Sequence, residues 1–430
     1  MSTYIRDMAG QVGKEVEIKG WLYNKRSSGS IAFLELRDGS GFAQAVVPKQ
    51  QVDEKTWGNV QEATQESSLV VTGRVSKHPK KESEYELQVT QVILVHKAEE
   101  YPITKKEHGP EFLMDNRHLW LRSQKQWAAL RLRHIVKTGF QDYFNSKGYI
   151  ELDTPTFTPN ACEGTTDLFE VDYFGRPAYL TQNGQLYLEA MAMAFGRVYD
   201  LCPNFRAEKS KTRKHLTEFW SLNPEMAFIE HEESLRIQEE SIKHMIAYAL
   251  KHGGPELAIL ERNTAELQAI LNLSFVHYEY EEAIAKLQKR GSSIQFGEDL
   301  GAEDEVLLTE DSDAPVVVKN WPKAIKPFYM KAHPEKKDMV LNADILASRG
   351  FGEIVGGSQR EDDYKTLLDN INKAGLDVSV FEWYLDLRRY GSVPHCGFGI
   401  GIERMTRWVG GIHHIRETIP FPRMLNRITP

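Results

Sequence analysis

Residues 203–228 read PNFRAEKSKTRKHLTEFWSLNPEMAF. Phe205-Arg206-Ala207-Glu208 sets a cation and a carboxylate two positions apart, on one side of an extended strand. A basic loop follows over 209–214, and a return strand carries His215, Glu218 and Phe219. Such a hairpin offers cations for phosphates, a carboxylate for the amino group of adenine and an aromatic face for the base. A nucleoside triphosphate needs those parts. A solvated charged hairpin has the same composition, so the segment has to be weighed with its neighbours.

Two further segments bear on it. Residues 397–405, GFGIGIERM, are glycine-rich and end in Glu403-Arg404. Glycines let a backbone approach a ligand closely, and the rigid donor fork of an arginine suits phosphate. A glycine-rich strand entering a buried helix reads the same way. Residues 344–360, DILASRGFGEIVGGSQR, place Asp344 and Glu353 on either side of a turn. Together they suit Mg²⁺, which takes one or two carboxylates plus phosphate oxygens. Arg360 is a candidate anion reader. Two surface acids in a loop are the plainer alternative.

Around these segments the chain divides by pattern. Residues 16–22, 31–37, 42–47, 69–75 and 85–95 read as five short strands with one helical insert over about 51–65, which suggests a small closed barrel over 1–100. The polar stretch 101–125 reads as a hinge. From 126 to 430, helices at 126–147, 234–252 and 280–290 are mixed with strands at 149–152, 178–181, 198–202, 219–228, 352–354 and 397–402. Strands in succession favour an antiparallel α+β domain.

Composition sets limits. The 430 residues carry a formal charge of −8, from 53 basic and 61 acidic side chains. That opposes coating of nucleic acid by bulk charge and leaves local patches open. The three cysteines, Cys162, Cys202 and Cys396, show neither metal nor disulfide spacing, and no signal peptide or membrane-length apolar run is found. A cytoplasmic protein without a membrane partner is expected.

In order, the helix and strand ending at Pro155, then FRAE…H…EF, then GFGIGIER resemble the three signature motifs of class II aminoacyl-tRNA synthetases. The stretches KRSSGSIAFLELRDG, EFLMD, EGTTDLF, FRAEKSKT, YLDLRRYGSVPH and HHIRETIPFPRMLNR resemble the aspartyl/asparaginyl subgroup, most of all bacterial asparaginyl-tRNA synthetases, over essentially the whole chain. The resemblance implies an OB-fold barrel that binds the tRNA anticodon through Arg26, Phe33 and Gln44, and a class II catalytic domain that dimerises around Pro155. It implies that Arg206 binds the α-phosphate and the amino-acid carboxylate and Glu208 the adenine amino group. His215 and Arg404 would hold the distal phosphates, Phe219 and Arg404 enclose the adenine, and Asp344 and Glu353 hold Mg²⁺. Arg206 and Arg404 are then the catalytic pair, with ATP as co-substrate and tRNA(Asn) as acceptor.

The same resemblance places the amino-acid pocket among Glu163, Gln182, Gln185, Asn223, Glu225 and Arg360. Aspartyl enzymes have a lysine where Leu188 stands, so its absence argues for asparagine. Two positions depart from the asparaginyl pattern. An acid is expected where Asn223 stands, and a serine where Asn183 stands, in a loop expected near the α-ammonium group. Asn223 offers an acceptor and two donors, so it can receive an amide or donate to a carboxylate. A paralogue that activates aspartate, for example for ammonia-dependent asparagine synthesis, is the alternative.

Overall fold

Period-two alternation of apolar and polar residues builds the first of two compact units, Met1–Leu113. Strands β1 (Glu15–Ser28), β2 (Ile31–Arg37), β3 (Phe42–Pro48), β4 (Ser68–Lys77) and β5 (Tyr85–His96) close a barrel in the order β1-β2-β3-β5-β4. Inward residues such as Ile18, Leu22, Ala32, Leu34, Ala45 and Val47 are fully buried. The insert is the helix Glu54–Glu62. Asp53 accepts from the Thr56 N–H at its start, and Lys25 Nζ donates to the carbonyls of Val60, Gln61 and Ala63 at its end. Gly73 of β4 faces a bulge in β5, and a Cβ there would lie 2.3 Å from the Gln88 carbonyl oxygen. The chain is described by a computed structural model covering residues 2–81, 84–159, 167–209 and 215–430.

The second unit, Met114–Pro430, is built on an eight-stranded sheet. Its strands are β6 (Ile150–Glu151), β10 (Arg197–Phe205), β11 (Glu218–Ala227), β12 (Val276–Glu279), β13 (Val316–Lys319), β14 (Asn342–Ala347), β15 (Gly352–Gln359) and β16 (His395–Gly401). The order is β12-β13-β14-β15-β16-β11-β10-β6. Between β6 and β10 in the chain, β7 (Phe157–Thr158), β8 (Glu170–Tyr173) and β9 (Arg176–Leu180) form a separate small sheet. The antiparallel expectation holds for the middle of the large sheet, whereas the outer pairs β12/β13 and β6/β10 are parallel.

One face of this sheet is apolar. Tyr199, Leu222, Met226, Ile345, Val355, Phe398 and Ile400 pack against Val136, Phe140 and Phe144 of the helix Gln124–Ser146 and Ile242, Met245 and Ile246 of the helix His231–His252. Alternation sends their neighbours to the other face. There β10 shows Asp200, Cys202 and Asn204, β11 shows Ser221, Asn223 and Glu225, β16 shows Gly397, Gly399 and Gly401, and β15 shows Gly356 and Ser358. A sheet face that is both polar and glycine-rich cannot be a hydrophobic packing surface, and it leaves room directly above the backbone.

The stretch expected as a hinge divides. The units part at Leu113/Met114, and Arg117 is buried in the second unit, donating to the Ile419 and Pro420 carbonyls and to Gln126 Oε1. Its local polarity resembles a linker's because the two carbonyls that hold it lie some three hundred residues away in sequence. Likewise Arg206 and Glu208 stand just beyond the end of β10 and not on it, so alternation does not set their relative direction.

Candidate active site

The polar face carries three clusters. In the first, Glu225 on β11 and Arg360 just past β15 meet through two hydrogen bonds, Nε to Oε1 at 3.1 Å and Nη2 to Oε2 at 2.9 Å. Arg360 Nη1 also donates to Ser358 Oγ at 2.7 Å, and the guanidinium lies over the Tyr329 ring. The glycine opposite makes this possible: a Cβ on Gly397 would lie 1.8 Å from Glu225 Oε2 and 2.6 Å from Arg360 Nη2. The donor fork expected to await a substrate oxygen is therefore held by an internal carboxylate.

Behind that pair lies a network that local pattern does not reveal. Glu189, on the helix Gln185–Phe195, accepts from Arg388 Nη2 at 2.7 Å and from the Tyr384 hydroxyl, and His395 Nε2 is 3.0 Å away. Gln185 Nε2 donates to the same carboxylate at 3.1 Å. Burial pushes the Glu189 carboxyl up, but Arg388, His395 and Arg360 together hold it well below the ordinary range. Burial raises Glu225, against the pull of Arg360. Glu189, Glu225 and His395 lie close enough to share a metal ion. Arg360 and Arg388 already supply the compensating positive charge there, so the group reads as an ion-pair network.

Gln182 and Asn183 complete this end. Gln182 is buried, and its carbonyl accepts from Arg206 Nη1 at 3.0 Å. The Asn183 side chain accepts from the Gln185 N–H at 2.9 Å at the start of the helix. Leu188 is fully buried beside Ala192 and Val198. Glu163 lies outside the described residues.

The second cluster joins the acids and the third motif. Arg404 Nη1 donates to Glu353 Oε2 at 2.8 Å, and Lys326 Nζ donates to Asp344 Oδ2 at 2.9 Å. A Cβ on Gly356 would lie 3.1 Å from Glu353 Oε1 and 3.4 Å from Asp344 Oδ1, so both acids converge above a glycine. Burial pushes Asp344 up to about 6; Lys326 opposes this and the neighbouring Glu353 adds to it. Burial also opposes ionisation of Glu353, but Arg404, Lys326 and His215 hold it below its usual range. Glu403, by contrast, is structural: it binds Arg133 of the helix Gln124–Ser146 and the Trp220 N–H.

The third cluster is the hairpin. Arg206 lies 5.6 Å from the centre of the Phe219 ring, and its N–H bonds to the Thr217 carbonyl. Glu208 and His215 are both exposed. On the separate barrel, Arg26 stacks over Phe33 at 5.0 Å and donates to Gln44 Oε1 at 2.8 Å, while Gln44 donates to Glu86. Phe33 is half-buried between the fully buried Ala32 and Leu34, so it sits on the outer face of the barrel and not in its core.

A barrel of the nucleic-acid-binding kind followed by a glycine-floored antiparallel sheet with arginines at one end defines a recognisable class. The chain belongs to the class II tRNA synthetases of the D, K and N group, whose family model matches residues 109–425, and residues 16–95 match the OB-fold nucleic acid binding domain. It is an ATP-using tRNA ligase. Among solved structures it is similar to the asparaginyl-tRNA synthetase of Pyrococcus horikoshii complexed with asparaginyl-adenylate (39% identity, all of both chains, TM-score 0.95). It is also similar to the asparaginyl-tRNA synthetase of Entamoeba histolytica in complex with asparaginyl-adenylate (32%, all of both chains, TM-score 0.89). The aspartyl enzyme of the same amoeba matches at 27% identity over 100% of this chain and 93% of that one, with a TM-score of 0.83.

Proposed function

We propose that the protein joins asparagine to ATP as asparaginyl-adenylate and passes the asparaginyl group to tRNA(Asn), working as a homodimer in the cytoplasm. The observation that carries this reading is the site's division of labour on one sheet face. Arg206 and Phe219 stand at the nucleotide end, and a buried polar pocket built on Asn223, Glu225 and Arg360 stands beside them. An oxygen of the asparagine carboxylate attacks the α-phosphorus; the bond to the bridging oxygen breaks and pyrophosphate leaves. Arg206 neutralises charge that builds on the α-phosphate, while Glu208 and Phe219 orient the adenine and His215 and Arg404 receive the distal phosphates. No protein nucleophile is needed, so positioning and preorganised charge supply the rate. A ribose hydroxyl at the 3′ end of tRNA then attacks the acyl carbon, and AMP leaves.

Asp344 and Glu353 suit Mg²⁺: two converging carboxylates above a glycine are the protein share of a site completed by phosphate oxygens. When bound, the ion would offset phosphate charge. Arg26, Phe33 and Gln44 form one connected outer patch, which supports anticodon reading. Dimerisation is supported by Ile150, Phe195 and Phe228, exposed apolar residues at one end of β6, β10 and β11. Among the described residues no helix is long and apolar enough to cross a membrane.

Pyrophosphate exchange with a panel of amino acids tests the reading. Stimulation by asparagine and not by aspartate is expected. Stimulation by aspartate alone would replace it with the aspartate-activating alternative, which the apolar setting of Leu188 and the higher identity to the asparaginyl enzyme do not favour.

A further inference from the structure

The pocket's departure at Asn223 has a counterpart on the neighbouring strand. Asp200 on β10 stands directly opposite Asn223 on β11, and Asn223 Nδ2 donates to Asp200 Oδ1 at 2.6 Å. Both residues are buried, at 1% and 6% exposure. The other Asp200 oxygen accepts from the Thr154 hydroxyl at 2.6 Å, and a Cβ on Gly184 would lie 2.0 Å from it, so the loop before the helix Gln185–Phe195 closes tightly over this acid. The groups that bond to Asp200 are neutral donors, from Thr154 and Asn223; no arginine or lysine pairs with it among the described residues.

That arrangement fixes the direction of an amide. A carboxylate only accepts, so it admits only the NH₂ end of Asn223. The carbonyl oxygen must then point the other way. It does: a Cβ on Gly399 would lie 3.1 Å from Asn223 Oδ1, which places the oxygen above the glycine floor, one step along the same face from Glu225 and Arg360. Among the described residues no donor meets that oxygen.

We infer that Asp200 is the positioning residue of the side-chain reader: through the pair it makes across β10 and β11, it holds the Asn223 carbonyl oxygen over Gly399, where the pocket accepts the amide N–H of asparagine and repels the carboxylate of aspartate. The acid expected at 223 has moved one strand over. It acts there through a neutral intermediary, so the ligand still meets an acceptor. Burial pushes the Asp200 carboxyl up to about 6, which keeps it mostly ionised at neutral pH, with Thr154 and Asn223 opposing the shift. Restoring an acid at 223 alone would set two buried carboxylates side by side, so the two positions have to be exchanged together.

The inference rests on the asparagine reading, and the test separates the two. Wild-type protein and two variants are compared by pyrophosphate exchange, taking the ratio of kcat/KM for asparagine over aspartate. Asp200→Asn frees the Asn223 amide to rotate; the ratio is expected to fall by roughly tenfold or more, with KM for ATP unchanged. The exchanged double variant Asp200→Asn/Asn223→Asp keeps one carboxylate and one amide and is expected to restore the preference for asparagine. A wild-type preference for asparagine with an unchanged ratio in Asp200→Asn overturns the inference alone. A wild-type preference for aspartate overturns the function itself. If thermal melting shows Asp200→Asn unfolded, the double variant decides: a folded double variant that prefers asparagine supports the pair, and one without preference, or one that is itself unfolded, overturns it.

Discussion

Arg404 and Glu353 hold each other at 2.8 Å, and the same arginine also reaches the Glu353 carbonyl at 3.2 Å. The third motif's cation is thus tied to one of the two acids through both its side chain and its backbone. It is a held group, and little ordering remains to be done when a nucleotide arrives. Glu353→Gln keeps the shape and removes the charge that holds Arg404. Exchange is expected to slow by about 10²–10³-fold, the scale for loss of a preorganised charge. Equilibrium binding of the amino acid should stay near wild type, which calorimetry checks.

Gly397 gives a test of the amino-acid end. Gly397→Ala would push a methyl group into the space of Glu225 Oε2 and force the Glu225–Arg360 pair apart. KM for the amino acid is expected to rise by about 10²-fold, since a displacement on the scale of an ångström has that effect. KM for ATP should change little, and steady-state exchange at varied substrate reads both.

Phe33→Ala should separate the barrel's role from the catalytic unit's. Phe33 lies outside the barrel core, so the melting of the protein is expected to be near wild type. Affinity for tRNA should fall by about 1–3 kcal/mol, the value of one stacked base. Filter binding measures that loss, and unchanged exchange is the control.

His231 sets a pH dependence of stability. Its Nε2 is buried and has no hydrogen-bond partner among the described residues, and burial lowers its pKa from 6.5 to about 4, with Lys319 and His333 acting the same way and Glu232 and Glu279 against. The unfolded chain therefore binds the extra proton first, and stability is lost as pH falls from 6.5 toward 4. The loss is expected to reach about 2 kcal/mol by pH 5. Asp200 and Asp344, pushed up to about 6, act oppositely over the same window, so the wild-type curve mixes both signs. Comparing urea midpoints of wild type and His231→Leu at pH 7 and pH 5 isolates the histidine: the variant should lose less on acidification.

Glu189→Gln tests the network behind the pocket. The change leaves Arg388 buried without its carboxylate, with Nη1 already lacking a partner among the described residues. A cost of about 3–5 kcal/mol is expected in urea unfolding, because an uncompensated buried charge is the penalty.

What the chain discloses in advance follows from range. The barrel strands were legible because alternation and turn residues are local, and β2 spans the residues its pattern marks out. Phe33 was ambiguous because its face is decided by the strands on either side. Glu189, Arg388 and His395 escaped notice because Glu189 lies far along the chain from the other two and meets them only after folding, although the stretch YLDLRRYGSVPH, which holds both, and the Gln185–Glu189 helical spacing carried a faint trace. Asp200 escaped for a similar reason. In VYDLCPNF it is one polar residue in an alternating strand, and only its register against β11 shows what it faces. Arg206 and Glu208 were read as lying on one side of an extended strand, but β10 ends at Phe205, before both of them.

The order of the strands bears on how the protein is made. β16, residues His395–Gly401, lies between β15 and β11 near the middle of the sheet, yet it comes after all the other strands of that sheet in sequence. A nascent polypeptide leaving the ribosome must carry β10–β11 and β13–β15 as two open halves, each with a bare hydrogen-bonding edge, until β16 has been made. The active site cannot assemble from a truncated product.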